Sequence, residues 1–384
     1  MQVARNHPRC GVCGSKLVKN GVTSAGRTRW RCKTCGASAV QSRPDVTRRA
    51  ELNRFHAWLL GPASQHSLDT GTGRSFRAAT GWCWNIDVPQ PRAAGEVDEV
   101  LMLDGTYFQD WCLIVAFNGQ HVRGWQWCER ENKPAYLALL HRLPSPSMVV
   151  VDGGRGVAAA LCECWPDTAV QRCYFHIYRT VTRHLTMNPR LDAGKQLRAL
   201  TKALMDVSTL DEATEWTRQY LAWEATWDTF LKHRTYAAKH RERPLGVGEC
   251  ATWWFTHREL RRCRALFRSL IRREELFCWL TTTGAPLPRT TSPLEGGPNK
   301  AIKDLLRVHR GLPPDHARRA VEWLLNSHTE FPHDPWSLAR PEHWNQPHKP
   351  RPAVEEPLGP QPGNTFSWED GNGIQKGWAG RWRP

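Results

Sequence analysis

Two short apolar runs constrain the fold more than any other feature of this sequence. One run, Val-Leu-Met-Leu, ends on Asp104, the other, Val-Val-Val, ends on Asp152, and a glycine follows each aspartate. Aliphatic, β-branched runs that end at a turn residue are typical of buried strands. Each strand would bring one carboxylate to the rim of a sheet, where hard oxygen ligands can hold Mg²⁺. Aspartates in ordinary strand-end turns are the alternative interpretation.

A third acidic position lies in the segment Thr-Ser-Pro-Leu-Glu-Gly-Gly, which contains Glu295. Ser292 and Glu295 form an S-x-x-E pattern with proline at the first helical position, so Glu295 could simply cap a helix. Alternatively, the helix begins at Pro298, because proline inside a helix removes a hydrogen bond, and Glu295 lies on the approach to it. The local pattern leaves both interpretations open.

The charge of the chain favours an anionic partner. Lys and Arg total 53 against 37 Asp and Glu, a formal net charge of +16, and such a field attracts polyanions. No long apolar segment or amino-terminal signal peptide is visible, so we expect neither membrane insertion nor secretion. Most of the 13 cysteines are scattered, as expected for buried thiols in a reducing compartment. We expect a cytoplasmic, nucleoid-associated protein of two or three domains.

The first 43 residues predict a zinc ribbon. Two CxxC pairs are separated by 18 residues, a spacing that closes a tetrahedral four-thiolate site with structural Zn²⁺. The predicted ligands are Cys10, Cys13, Cys32 and Cys35. Basic residues with a potential role in DNA binding lie between the pairs, at Arg27, Arg29 and Arg31.

Residues 44–92 predict two helices. The first starts at an N-cap at Thr47 and continues through an apolar stripe to Gly61, and the second covers Ser75–Trp84. The pair could form a helix-turn-helix that presents Arg74 and Arg77 to DNA, or it could be an ordinary helical linker.

From residue 97 to 186 the predicted order is β-β-β-α-β-α-β-α, which indicates an α/β sheet with helices on its faces. The last strand, predicted as Ala169–Phe175, carries Cys173, and His176 follows it. A second zinc site there would need two further ligands, and none lies nearby in the sequence. Core packing with a polar helix cap is the simpler interpretation.

The remaining pattern predicts three segments. Residues 187–284 read as an all-helical insertion domain, and residues 285–330 return to the core with Glu295. Residues 331–384 are rich in Pro and Trp without periodicity, so we expect a disordered tail.

The ordered set of motifs resembles bacterial insertion-sequence transposases of the Mutator-like type, which are DDE enzymes with an RNase H-like core. The resemblance covers roughly residues 97–330 and rests on Asp104-Gly-Thr, Asp152-Gly, Cys173-x-x-His176 and the segment around Glu295. The preceding zinc ribbon and helices are similar to one branch of these proteins. The chain departs from the family pattern at Ser292, where related sequences generally carry Asn, and at Pro298.

The resemblance implies that Asp104, Asp152 and Glu295 hold two Mg²⁺ ions (or Mn²⁺) about 4 Å apart, the spacing of two-metal phosphoryl transfer. The enzyme would cleave DNA at the ends of an insertion sequence and transfer the freed strand into target DNA. Joining two ends implies a homodimer or a larger assembly on DNA. Cys173 and His176 would lie near the active site; the resemblance leaves their role open and does not identify them as metal ligands.

Two other classes of protein remain open at this point. One is an RNase H-fold nuclease or resolvase that cleaves without joining. The other is a DNA-binding regulator derived from a transposase whose catalytic centre is inactive.

Overall fold

The computed structural model describes residues 8–10, 13–40, 44–62, 65–68, 73–92, 97–108, 111–239, 242–283 and 287–345. These residues form two compact units. The first unit comprises the described part of residues 1–87 together with 334–345, and the second runs from Val88 to His333. Among the helices of these residues, none has both the length and the apolar character that crossing a membrane requires.

The first unit begins with a small antiparallel sheet in which the second strand pairs with both others. Its strands are β1 (Leu17–Val22), β2 (Thr28–Cys32) and β3 (Ser38–Val40). The core of this ribbon consists of Cys10, Leu17 and Cys32, with Trp30 packed against them. So small an apolar core needs a further constraint such as a bound metal.

Three helices and a 3-10 turn follow the ribbon. They are α1 (Pro44–Leu59), α2 (Gln65–Leu68), α3 (Gly73–Thr80) and the 3-10 turn Gly81–Asn85. The predicted apolar stripe of α1 is confirmed, since Leu52, Phe55 and Leu59 are all buried. The predicted start at Thr47 was wrong, because α1 begins at Pro44, and proline suits the first turn of a helix.

Two further helical turns belong to the same unit, α14 (Pro335–Leu338) and α15 (Pro341–Trp344). Asp334 caps α14 by accepting a hydrogen bond from the backbone of Ser337, and the ring of Trp344 meets that of Trp82 edge-on at 5.1 Å. The prediction of disorder from residue 331 was therefore wrong over 331–345, because aromatic packing orders this segment. Residues 346–384 lie outside the described residues.

The second unit is built on a five-stranded mixed sheet with the order β6-β5-β4-β7-β8. Its strands are β4 (Val100–Phe108), β5 (Trp111–Phe117), β6 (Val122–Cys128), β7 (Met148–Val151) and β8 (Ala169–Arg172). The central strand β4 is antiparallel to β5 and parallel to β7. The first and fourth strands of this core, β4 and β7, are therefore neighbours.

The helices between these strands are α4 (Lys133–Leu140), α5 (Arg155–Cys164) and α6 (Tyr174–Leu185). One apolar cluster joins α4 and α5 to alternate residues of β4 and β7, among them Leu103 and Val151. Because side chains alternate across a strand, Asp104 and Asp152 project away from this cluster. The predicted strand through Phe175 was too long, because β8 ends at Arg172 and Cys173 is the N-cap of α6.

The segment after α6 contains four helices and a small hairpin-like sheet. Its elements are α7 (Asp192–Ala203), α8 (Leu210–Leu231), β9 (Arg234–Tyr236), β10 (Trp253–Phe255), α9 (Arg258–Arg272) and α10 (Cys278–Thr281). The prediction of an all-helical insertion was wrong, since β9 and β10 pair antiparallel. The aromatic run at β10 fits a strand better than a helix. Trp216, Tyr220 and Phe267 pack together between α8 and α9.

Three helices complete the second unit, α11 (Ser292–Gly296), α12 (Pro298–Val308) and α13 (Pro314–Ser327). The buried indole of Trp127 on β6 donates a hydrogen bond of 3.0 Å to Glu322 of α13. This contact anchors α13 to the edge strand of the sheet.

Candidate active site and metal centres

The two aspartates come level with each other at the centre of the sheet. The parallel register of β4 and β7 pairs Met102 with Val150. Asp104 lies two residues further along β4, and Asp152 lies two residues after Val150, directly beyond the end of β7. Side chains two residues apart share a face, so Asp104 and Asp152 project from the same face on adjacent strands. This is the juxtaposition that the strand pattern predicts for a pair of metal ligands.

Glu295 approaches the same region from α11. Burial, together with the negative charges of Glu295 and Glu131, raises the pKa of Asp104 to about 7. Carboxylates that interact in this way lie within a few ångströms of one another or share a poorly solvated space. This agrees with the packing of α11 against β4, the strand that carries Asp104.

The capping-box interpretation of Glu295 was wrong. The N-cap of α11 is Thr291, without a side-chain cap, and Ser292 is exposed. Instead, the hydroxyl of Thr291 donates a hydrogen bond of 2.6 Å to Oε1 of Glu295. The next helix begins at Pro298, as the second interpretation predicted.

Asn299 was missed by the sequence reasoning. Its side-chain Nδ2 donates a hydrogen bond of 2.8 Å to Oδ2 of Asp104, and the residue is only 1% exposed. Its Oδ1 is buried and has no hydrogen-bond partner within the part of the chain that the structure describes. A buried polar atom of this kind is costly unless a ligand or water satisfies it.

Glu131 is a fourth carboxylate at this site and was also missed. Its side chain occupies the space over Gly105, where a Cβ would lie 2.3 Å from Oε1. Tyr136 donates a hydrogen bond of 2.6 Å to Oε2, which fixes the carboxylate. Burial, aided by the charge of Asp152, raises the pKa of Glu131. The glycine after Asp104 is thus explained by the space that Glu131 needs.

The glycine after Asp152, Gly153, is also explained by the space that a charged side chain needs, here the cationic Arg172. Gly153 has a φ of +89°, and a Cβ there would lie 1.6 Å from Cζ of Arg172. Arg172 donates a hydrogen bond of 2.7 Å to the backbone oxygen of Asp152. Only glycine combines this backbone conformation with room for the guanidinium.

Cys173 and His176 form one cluster with Glu295. Sγ of Cys173 accepts a hydrogen bond of 3.4 Å from the backbone N–H of Thr291 and lies 3.3 Å from the hydroxyl oxygen of the same residue. Nδ1 of His176 lies 3.9 Å from Oε1 of Glu295. Burial would raise the pKa of Cys173, but the nearby polar groups of His176 and Thr291 outweigh it, and the pKa is lowered. The same contact with Cys173 raises the pKa of His176.

The four amino-terminal cysteines form a second cluster, in the first unit. Their Sγ atoms are separated by 3.6 Å between Cys10 and Cys35, 3.4 Å between Cys13 and Cys32, and 3.5 Å between Cys13 and Cys35. Sulfur ligands of a tetrahedral zinc ion are separated by roughly 3.8 Å, given a Zn–S bond of about 2.3 Å. The cluster is therefore compatible with structural zinc.

All five arginines predicted to contact DNA are exposed, namely Arg27, Arg29, Arg31, Arg74 and Arg77. Arg77 also donates a hydrogen bond of 3.1 Å to the side chain of Gln65. The ribbon and the helices thus both present basic side chains to solvent.

Residues 114–246 match the family model described as transposase, Mutator family. The matched segment includes Asp152, Cys173 and His176, while Asp104 and Glu295 lie outside it. No match was found among curated proteins. The match agrees with the resemblance of the motifs and supports a Mutator-like transposase.

Proposed function

We propose that this chain is a DDE transposase that cleaves the ends of an insertion sequence and transfers the cut strand into target DNA. The main support is that Asp104 and Asp152 lie side by side at two adjacent parallel strands. The charge of Glu295 also contributes to the raised pKa of Asp104. The sheet order, with the first strand between the second and the fourth, supports an RNase H-like core.

The residues present fit a divalent cation. Asp104, Asp152 and Glu295 would supply oxygen ligands of the kind that Mg²⁺ or Mn²⁺ prefers. Burial and the charges of Glu295 and Glu131 raise the pKa of Asp104, a cost that a bound cation would relieve, and Oδ1 of Asn299 is buried without a partner among the described residues. When bound, the metal supplies a Lewis acid that lowers the pKa of a water and stabilises charge on the phosphodiester oxygens.

The protein's own side chains orient the three acids. Asn299 holds one oxygen of Asp104 and leaves the other available. Thr291 holds Oε1 of Glu295, and Arg172 fixes the turn that follows Asp152 through its backbone oxygen. Such supporting contacts set the orientation and affinity of a metal site.

We infer that the first unit recognises the element ends, as a zinc ribbon followed by a helix-turn-helix-like region. The exposed arginines of the ribbon and of α3 are suited to phosphate contacts. Not every arginine of α9 is available to bind DNA. Arg264 is buried and forms an ion pair of 3.1 Å with Asp228. The exposed Arg272, the last residue of α9, and Arg273, its C-cap, are suited to contacts with the DNA backbone. Two ends must meet, so at least a homodimer would act.

Pro298 departs from the family pattern, but its position in the structure is compatible with an active enzyme. It stands at the first position of α12, where proline is well tolerated, so it does not distort a helix that carries Glu295. This observation disfavours the inactive regulator. A resolvase-like nuclease would use the same acids and is separated from a transposase by its products.

The test combines purified protein, labelled DNA carrying the element's flanking ends, a target plasmid and Mg²⁺. Joined products that are lost in Asp152→Asn are expected. Cleavage without joining would indicate the nuclease. Binding of the ends without cleavage in Mg²⁺ or Mn²⁺ would indicate the regulator.

A further inference from the structure

We propose that Cys173, His176 and Glu295 form a second zinc site, which ties the start of α6 to α11 and thereby holds Glu295 in place. The site differs from the four-cysteine ribbon, because it lies in the second unit and uses three different kinds of ligand. It shares Glu295 with the proposed Mg²⁺ site but does not depend on the transposition reaction.

The ligand atoms are already gathered. One atom each from Cys173, His176 and Glu295 lies within 4.8 Å of the other two, and Nδ1 of His176 is 3.9 Å from Oε1 of Glu295. Zinc bonds of about 2.0–2.3 Å imply ligand separations of roughly 3.3–3.8 Å in a tetrahedron. Adjustments of about 1 Å or less would close the site.

Two of the ligands are fixed by the secondary structure. Cys173 is the N-cap of α6 and is fully buried, and His176 lies within the first turn of the same helix. A helix N-terminus stabilises a thiolate, which is the form that binds zinc. The hydrogen bond from the backbone N–H of Thr291 to the sulfur is the kind of support that oriented metal ligands receive.

Nδ1 of His176 provides an independent indication of a ligand. This atom is buried and makes no hydrogen bond that satisfies it among the described residues, although it faces Glu295. A buried imidazole nitrogen without a partner carries a desolvation cost that a metal bond would remove. The sequence offers only two ligands here, and the fold supplies the third from the distant Glu295.

The ligand types decide which metal would bind. A thiolate and an imidazole select Zn²⁺, whereas the oxygen ligands Asp104 and Asp152 select Mg²⁺. Oε1 of Glu295 faces His176, which leaves Oε2 for the oxygen site. Three protein ligands leave a fourth position for water.

The first measurement is the zinc content of the full chain after gel filtration in buffer without chelator. We expect two zinc ions per wild-type chain and one in Cys173→Ser or in His176→Ala. Asp152→Asn and Cys263→Ser should keep two, because the first leaves the cluster intact and the second changes an equally buried thiol elsewhere. A single zinc ion in the wild-type chain would overturn the proposal.

A second measurement avoids any change in the core, in case Cys173→Ser fails to fold. A variant with all four ribbon cysteines changed to serine should still hold one zinc ion. After exchange with Co²⁺ it should show the ultraviolet sulfur-to-cobalt absorption of one thiolate. Absence of both signals would overturn the proposal, and neither signal depends on whether DNA is joined.

Discussion

The side-chain amide of Asn299 donates a hydrogen bond of 2.8 Å to Oδ2 of Asp104, across 195 residues of sequence. This bond joins the first turn of α12 to the central strand of the sheet. Asn299 lies four residues after Glu295. The last segment of the core therefore supplies both the acid Glu295 and the donor that orients Asp104. The helix break at Gly297, with a φ of −96° and a ψ of −107°, separates the two functions.

Asn299→Ala is expected to slow DNA joining about 10- to 100-fold, the usual cost of removing a residue that orients a metal ligand. Asp104 would lose its donor, and its orientation would no longer be fixed. The measurement is the joining rate across a Mg²⁺ titration, normalised to folded protein. Asn326→Ala is the matched control, since Asn326 is equally buried but bonds to His333. Equal losses in both variants would contradict the prediction.

Gly105→Ala is expected to destabilise the second unit by about 1–3 kcal/mol, the usual cost of overpacking. The new Cβ would lie 2.3 Å from the carboxylate of Glu131, which must move. Denaturant unfolding measures the loss, and Gly248→Ala is the control because no atom lies within 4 Å of its Cβ position. In Gly105→Ala/Glu131→Ala much of the loss should be recovered, since contacting residues couple. Additive losses would show that Glu131 is not the obstacle.

The central strands and their aspartates were predictable because their signals are local and repeated. Two apolar runs end on Asp-Gly, and the alternation of strands and helices restricts how the sheet can be ordered. Asp104 and Asp152 therefore could be paired from the sequence alone. Glu295 could be assigned to the same site only through the family resemblance, because its immediate neighbours in the sequence also fit a helix cap.

Asn299 and Glu131 could not be predicted, because their roles depend on distances that no periodicity encodes. Glu131 reaches the site only because Gly105 lacks a side chain, and Asn299 only because α12 starts at the rim. The strand β10 was missed for a different reason. Its three residues, Trp253–Phe255, are too few to display a period of two. They were therefore assigned to the helix that follows them in the sequence.

Acid is expected to destabilise the first unit through His56. Burial lowers the pKa of His56 to about 4 from 6.5, partly offset by Asp334. Because the pKa of His56 is lower in the folded state, the unfolded chain takes up the proton first as the pH falls. The contribution of neutral His56 to the free energy of unfolding is therefore complete above about pH 6.5 and is lost as the pH falls toward 4. The linked loss is roughly 3 kcal/mol at most.

Denaturant unfolding of the wild type and of His56→Gln at pH 7 and pH 5 measures this effect. The variant should lose less stability between the two pH values than the wild type, because glutamine takes up no proton. Any zinc that the ribbon binds would be released in acid from both proteins alike, so this effect cancels in the comparison. Identical losses would mean that His56 does not carry the acid sensitivity.

DNA joining is expected to rise with pH through the region near 7 at a Mg²⁺ concentration below saturation. Asp104 has a pKa raised to about 7 by burial, with Glu295 and Glu131 adding to the shift, so a proton competes with the cation below that pH. Glu131→Gln removes one negative charge and should lower the pKa of Asp104. The midpoint of the pH–rate profile should therefore move to lower pH in this variant.

The matched control for this last prediction is Glu163→Gln. It removes the same charge from a surface residue that pairs with Lys133 and should leave the midpoint unchanged. A midpoint that also stays in place in Glu131→Gln would separate Glu131 from the titration of Asp104. A shift to higher pH in Glu131→Gln would reverse the sign of the interaction and would mean that Glu131 acts on the site by another route, such as holding Tyr136.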